Sequence, residues 1–589
     1  MALRYTLTYD VYKYRSDAPV DLAWDRAAFS LAALRNETVA CQLVIQPDEK
    51  VLATLGASPL LHWTPTPRLR VSLGEIEGPD GQTWPAAVTP NWVGLVRADT
   101  GAILVADPLL PEESIEVAAG MPQALWLSLR LPADAPAGRY TLPITLLRAA
   151  DFEDEEVIGA AEVTLEVAPL ALPDPHDFRH FLDLWQHPTG LARGHHVPLW
   201  SEAHWALVER YAAEMARIGQ KSITIIASDS PWAGQRCRYD VTYPSTLHEF
   251  NIVGIYRQPD GTLRFDFSRL DRYVEAYLRA GIDGEIEVIG LLAAWDDEFG
   301  RPLVDHPDNI RLACYDEESG RITWLRRQAD LREYLQALGD HLKERGWWEI
   351  TRFTADEPSH VELFRQRIDF LHSVLPDAKA KIPFYHMEMG DHFLNDVADW
   401  VPVIHGMGRQ AEASQRLQAA VQARCDRFCW YVCCGPARPN NFITSPSIEA
   451  RTQGWFSAWA GLDGFLRWAF TCWPADPWGR PGFRFPGWPT GDMFFVYPGR
   501  DGQPVRSLRL EMILAGIQDY ELIALARQRA AAEPAIAAAL ERAFARVLRA
   551  ADLAAFAEPD QTPPQALYSL DPEDYIAARA EIVAALQKA

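Results

Sequence analysis

Short alternating runs of apolar and polar residues fill the first 175 positions. "ACQLVIQ", "ALWLSLRL", "RYTLPITLL" and "AAEVTLEVA" are each bounded by Pro, Gly, Asp or Asn. Alternation of this kind predicts half-buried strands, and "LPADAPAGRYTLPITL" reads as a turn feeding a strand of a β-sandwich. The Pro-rich stretch "PLALPDPHDF" breaks the pattern and marks a boundary near Pro175.

Beyond that boundary the period changes. "RHFLDLWQH" is a strand, and "EAHWALVERYAAEMARIG" carries Trp205, Val208, Ala212, Met215 and Ile218 at helical spacing, with Gly219 as the stop. "KSITIIAS" is a second strand. A long insertion follows, then the helix "FSRLDRYVEAYLRAGI" and the strand "EIEVIGLL". The alternation continues through "LREYLQALGDHLKERG", "WWEITRFTADEP", "VELFRQRIDFLHSVLP" and "AKIPFYHM" to "WVPVIHGM", "RFCWYVCC" and "GFLRWAFTCWP". About eight strands alternating with helical connections predict a parallel (β/α)8 TIM-like barrel. An open doubly wound sheet would carry a Gly-rich phosphate turn after its first strand, and "WQHPTGLARGHH" lacks that motif. The tail after Arg506 is helical. The expected architecture is a multidomain α/β protein, with a sandwich over 1–175, a barrel over 176–505 and a helical segment over 506–589 packed on the barrel.

The 589-residue chain exceeds what one hydrophobic core serves. Its net charge of −24 repels phosphate backbones and anionic lipid, so neither nucleic acid nor membrane is the expected partner. The start, "MALRYTLTYDVYKYRSDAPV", shows no apolar core of a secretory signal, so a cytoplasmic location with reduced thiols is expected. The 21 tryptophans supply flat faces with polar edges, which suit sugar rings as well as large cores. Eight cysteines are dilute except in "CDRFCWYVCC". That run reads as a buried strand with no second ligand pair, so no metal is expected.

"FTADEPSH" raises the question of chemistry. Asp356 and Glu357 stand together at the C-terminal end of the fourth predicted strand, the end at which barrel loops converge. Neighbours on a regular strand point to opposite faces, so both serve one site only where the strand breaks. Pro358 favours such a break. Two carboxylates in one pocket divide into one protonated acid and one charged stabiliser. Adjacent acids do not flank a sugar as a nucleophile and an acid must. They suit a scheme in which the substrate's own 2-acetamido oxygen attacks, with one carboxylate holding the amide nitrogen and the other protonating the leaving oxygen. The alternative is that Asp-Glu-Pro caps the next helix.

"FTADEP", with "FLDLWQHP", "VPLWSEAHW", "FDFSRLDRYVEAYLRAGI", "GFLRWAFTCWP" and "FVYPGRDGQPVRSLRLEMILAGIQDYELI", resembles glycoside hydrolase family 123 and, more closely, the related domain of unknown function 4091. "ALRNETVACQLVI" is similar to the sandwich preceding the barrel in that family. The resemblance implies a retaining, substrate-assisted β-N-acetylgalactosaminidase that uses no cofactor and acts on a glycan carrying an N-acetylhexosamine. By position it implies that Asp356 orients the acetamido group and that Glu357 is the general acid and base. Tyr385 would bind the acetamido oxygen, with Tyr431 the second choice for that role.

Other residues carry weaker expectations. Trp185, Gln186 and His187 end the first strand and are read as pocket lining. Trp473, then Trp430, are the expected stacking platforms, while Trp468 is assigned to packing. Asp476 and Trp478 lie in a Pro- and Gly-rich loop expected over the pocket. His386 and Glu388 are candidates for sugar hydroxyls. His195, His196 and His204 are read as loop residues, and Asp519 and Tyr520 as packing. Two rival readings stand beside the enzyme. One is a carbohydrate-binding barrel that has lost turnover. The other is a two-carboxylate glycosidase on neutral sugars, with its partner acid among Asp296, Asp297 and Glu298.

Overall fold

The structure is a computed structural model. It describes residues 2–57, 66–84, 87–150, 152–229, 239–240, 245–246, 248–292, 310–325, 327–482 and 487–588. The N-terminal strands form two sheets. One has the order Leu3–Tyr9, Thr38–Pro47, Gln123–Arg130, Val88–Ala98, Ile103–Leu110. The other has the order Ala28–Arg35, Glu156–Ala171, Gly138–Ala149, Arg68–Leu73, Val51–Thr54, Ser114–Val117. The alternation read in "ALWLSLRL" explains their packing. Leu125, Leu127 and Leu129 enter a core shared with Val71, Leu142 and Val163 of the second sheet. Ala124 and Trp126, on the opposite face, join the core that continues into the rest of the chain. The first sheet is thus buried on both faces. Its Asp107 also accepts from Arg509 Nε and Nη2 at 2.9 and 3.0 Å, a two-point charged contact with the long helix Leu508–Ala530.

After the boundary, nine parallel strands are labelled here in chain order: β1 Phe181–Leu184, β2 Ser222–Ile226, β3 Glu285–Ile289, β4 Thr351–Thr354, β5 Ala380–Phe384, β6 Val397–Pro402, β7 Arg427–Phe428, β8 Trp430–Tyr431 and β9 Gly464–Arg467. Strands β2 to β7 form one six-stranded sheet in sequence order, and β1, β9 and β8 form a three-stranded sheet. Isolated parallel bridges tie the two sheets, Leu182 of β1 with Gln220 just before β2 and Val403 just after β6 with Tyr431 of β8. The run "RFCWYVCC", read as one strand, is divided between the sheets at Cys429. The segments after β2 and after β3 together build a further four-stranded sheet, the first giving Gly254–Arg257 and Leu263–Asp266 and the second Leu312–Asp316 and Arg321–Leu325.

The helix Glu202–Arg217 forms as its spacing predicts. The Ser201 side chain accepts from the His204 amide, and Trp205, Val208, Ala212 and Met215 are buried. Gly219 takes φ 82°, the left-handed conformation that suits glycine at a helix end. A Cβ there would also lie 2.7 Å from the Phe178 ring. No helix among the described residues is long and apolar enough to cross a membrane.

Candidate active site

Side-chain parity along β4 decides where the acidic pair goes. Phe353 and Ala355 pack outward with the helices. The alternate residues, Arg352 and Thr354, face inward and bond inward-facing acids of β6 and β3. Asp356 continues this inward series. Glu357 would face outward, but it adopts φ +53°, in the left-handed region that costs a non-glycine residue free energy. That single reversal turns its side chain to the same side as Asp356. The backbone stays tethered to β5, with Ala355 N donating to Lys381 O and Glu357 N to Pro383 O, both at 3.1 Å. The next helix, Val361–Val374, begins beyond the pair with His360 at its N-cap and no side-chain cap bond, so neither acid is the helix cap.

Glu357 Oε1 accepts the hydroxyl of Tyr431, at the end of β8. Burial raises the proton affinity of Glu357, and the tyrosine bond opposes that rise. Tyr431 is itself held far above the ordinary phenol range, by burial first and then by the charge of Glu357, with Asp356 adding to it. Tyr431 thus bonds one carboxylate and feels the charge of the other. Tyr385, at the end of β5, accepts from Arg409 of the short helix Ile404–Arg409. Arginine donates only, so this contact occupies a lone pair of the phenol and leaves its proton for another acceptor. His405, one turn earlier on that helix, meets the Tyr385 ring edge-on at 5.0 Å.

Under the site lies an apolar collar of Trp185, Ile226, Ile289, Val401, Val403, Tyr431 and Leu466, with Tyr385, Cys433 and Trp468 packed on it. A buried ion cluster sits among the same strands. Lys381 Nζ contacts Asp183 and stands 2.7 Å from both Glu285 and Glu287. Arg427 bridges Glu285 and Asp399, and Arg352 reaches Asp399. Four acids face three cations here. Burial first, and then Asp183, drive the proton affinity of Glu287 far up, which favours its neutral form in a cluster with one acid in excess. Asp183, Glu285 and Glu287 are near enough to one another to ligate a metal ion, but the Lys381 ammonium already stands among them. In "CDRFCWYVCC", Cys429 is buried, whereas Cys425 and Cys434 are exposed.

The model of the glycoside hydrolase 123 catalytic domain matches residues 185–526, more than half of the sequence. This chain belongs to glycoside hydrolase family 123. Its fold is similar to that of a family 123 glycoside hydrolase from Clostridium perfringens, described in terms of glycolipid glycan hydrolysis. The two share 18% identity over 100% of this chain and 98% of the other, with a TM-score of 0.78. A β-D-glucuronidase from Dictyoglomus thermophilum aligns at 9% identity and TM-score 0.28, over 83% of this chain and 66% of its own. No curated protein matches the sequence.

In this family 123 chain the remaining expectations divide by the same parity. Trp430 is the strand neighbour of Tyr431 and must face the other way. It is fully buried against Phe456 and Phe465, and its indole donates to Ser457 Oγ at 2.8 Å. Trp473 is also fully buried; its indole donates to Val496 O at 2.7 Å and its ring packs on Tyr211 and His195. Neither is open to a sugar face, which corrects the stacking assignment. The half-buried tryptophan on the collar is Trp468, which donates to Asp492 at 3.2 Å and meets Trp488 at 5.0 Å. Trp185 is buried in the collar, and His187 meets Trp468 edge-on at 6.0 Å. Gln186 is absorbed by the backbone, accepting from Thr224 N at 2.6 Å.

His386 is half-buried and Glu388 exposed, 3.9 Å apart. Asp476 accepts from Gly479 N at 2.8 Å and closes its own turn, and Trp478 lies over Tyr497 at 4.8 Å. His195 bonds Tyr211 and His204 bonds Pro188 O, structural contacts in both cases. Asp296, Asp297 and Glu298 lie outside the described residues. Arg409 and His405 escaped sequence reading. Their i,i+4 spacing directly after β6, in "VIHGMGR", was the available signal.

Proposed function

We propose that this glycosidase cleaves 2-acetamido-2-deoxy hexosides, of the β-N-acetylgalactosaminide type, with retention and through substrate assistance. The observation that carries the reading is the reversal at Glu357, which lets two consecutive carboxylates act on the single phenol of Tyr431. A closed (β/α)8 barrel belongs to the same reading. The six-stranded and three-stranded parallel sheets and their two bridges support it, with the acids at the C-terminal end of β4. The division into 1–175, 176–505 and 506–589 goes with it.

In the first step the acetamido carbonyl oxygen attacks the anomeric carbon and the glycosidic bond breaks. Glu357, favoured in its neutral form by burial, gives its proton to the departing oxygen. Asp356 accepts the amide N–H and balances the positive charge growing on the bicyclic oxazolinium. The Tyr385 proton, left available by Arg409, bonds the acetamido oxygen and aligns it. In the second step water attacks the anomeric carbon, its proton passes to Glu357, and the acetamido group is restored. Retention follows from two inversions. The half-buried Trp468, packed on the collar, offers a surface for the pyranose ring.

The test is hydrolysis of paired aryl glycosides with and without the 2-acetamido group. Glu357→Gln is expected to abolish turnover while the protein stays folded. Only the acetamido substrate should react well. Equal rates on the two substrates would remove the assistance, and turnover that survives Glu357→Gln would remove the acid. Glycan binding without any product would favour a binding barrel.

A further inference from the structure

Cys433 and Cys434 follow Tyr431 by two and three residues, and their Sγ atoms stand 3.9 Å apart. Parity carries Cys433 to the same side as Tyr431, where it packs on the collar. Cys434 is exposed. The collar it packs on includes Tyr431, whose hydroxyl donates to Glu357, so the sulfur lies one side chain away from the acid's partner. The Cys433 carbonyl is held from behind, accepting from Asn440 Nδ2 at 3.0 Å and from buried Arg467 Nη1 at 3.2 Å. Two adjacent thiols on a tethered backbone thus flank the acidic pair, one inside the mouth and one outside it.

We propose that Cys433 and Cys434 are a reversible oxidation site at the mouth of the sugar pocket, closed to a vicinal disulfide by small-molecule disulfides, and that closure suppresses hydrolysis. The second half of this statement rests on the reading of Asp356 and Glu357 given above. The exposed Cys434 thiolate attacks the disulfide RSSR and expels one RS⁻, which takes up a proton as RSH. Cys433 then loses its proton, attacks Cys434 Sγ and expels the second RS⁻. The protein loses two hydrogens and two electrons, and RSSR becomes two RSH.

Closure brings the sulfurs from 3.9 Å to about 2.05 Å, a movement of roughly 1.9 Å. Adjacent Cα atoms lie only about 3.8 Å apart, below the usual disulfide span, so the ring is strained and readily reduced. That suits a reversible mark better than a structural cross-link. With the Cys433 carbonyl tied to Asn440 and Arg467, the displacement falls on the Cys433 side chain, which packs on the same collar as Tyr431. Tyr431 holds the catalytic acid through its hydroxyl.

The experiment treats the full-length protein with oxidised glutathione and reads intact mass, a peptide map and hydrolysis of the aryl N-acetylhexosaminide. The expected result is a loss of two mass units confined to the peptide holding 433 and 434, with kcat/KM down by about tenfold to a hundredfold and restored by dithiothreitol. Cys434→Ser should lose the response, and Cys425→Ser, at the other cysteine exposed among the described residues, should keep it. Absence of the internal disulfide in the peptide map overturns the site. A disulfide that forms while kcat/KM stays constant overturns the gating. If the reduced protein does not hydrolyse the substrate, the proposed function fails, and the mass result still decides whether the pair closes.

Discussion

Replacing Tyr431 by Phe tests how the site sets its acid. The hydroxyl of Tyr431 donates to Glu357 Oε1, and burial pushes the carboxyl up against that bond. A neutral donor stabilises the charged form of a carboxylate, so removing it raises the proton affinity of Glu357 further. A hydrogen bond to a charged group is worth about 1.5–3 kcal/mol, and one pKa unit about 1.4 kcal/mol, so the expected rise is about one to two units. The lower figure is favoured because Glu357 is half-buried and water can replace part of the lost bond. A general acid works in its protonated form, so activity falls as pH passes above its pKa. The alkaline limb of kcat/KM against pH, which reports the free enzyme, should therefore move to higher pH by about one unit. The plateau should fall as well, since the phenol also aligns the carboxyl. Aryl N-acetylhexosaminide hydrolysis over a range of pH measures both effects. An alkaline limb that does not move, or moves down, would refute the assignment of that limb to a Glu357 held by Tyr431.

Two predictions concern groups away from the reacting bond. Lys381→Met leaves Asp183, Glu285 and Glu287 without their shared cation and should cost about 3–5 kcal/mol in urea unfolding, and a loss below about 1 kcal/mol would mean the acids simply protonate. Glu449, whose carboxyl accepts from the Asn440 amide and the Tyr568 hydroxyl, is pushed up by burial from 4.5 to about 7. The folded protein then binds the proton more tightly than the unfolded chain, so up to about 3 kcal/mol of stability is lost as pH rises from 4.5 through 7. Glu449→Gln should flatten this slope in melts compared at pH 5 and pH 8, and an unchanged slope would assign it elsewhere.

Much of the parallel-strand order was legible because buried strands read as continuous apolar runs. The positions of β2, β3, β5 and β9 follow their runs closely. What escaped was pairing between distant strands. Glu285 and Glu287 sit in "EIEVI" and Lys381 in "AKIPF", far apart in sequence, and their ion cluster exists only once the strands close around it. The acidic pair was legible because Pro358 and the strand end are local signals, whereas the left-handed φ of Glu357 is not written in residue type. The tryptophan assignments failed for a simpler reason. Trp430 and Tyr431 are neighbours in one strand, so naming both as pocket residues contradicted the alternation used for Asp356 and Glu357. With Tyr431 inward, that same alternation selects Cys433 and excludes Trp430.

The helical tail, read as packing alone, turns out to touch both the frame and the site. Asp519 accepts from Arg451 at 2.7 and 3.1 Å, from the Trp455 indole at 2.7 Å and from Arg579, which also reaches Glu37 of the first segment. These groups are buried, so the tail and the N-terminal sheets are locked together by contacts that water does not screen. Glu558 differs. It holds Arg409 through two bonds, at 2.9 and 3.1 Å, and both partners are well exposed, at 48% and 42% of their side-chain surface. Water screens an exposed pair of this kind, so it adds little to stability. Its consequence is orientation. The guanidinium that Glu558 restrains is the one that occupies the lone pair of Tyr385, so the tail acts on the direction of the tyrosine proton while contributing little to the folding free energy.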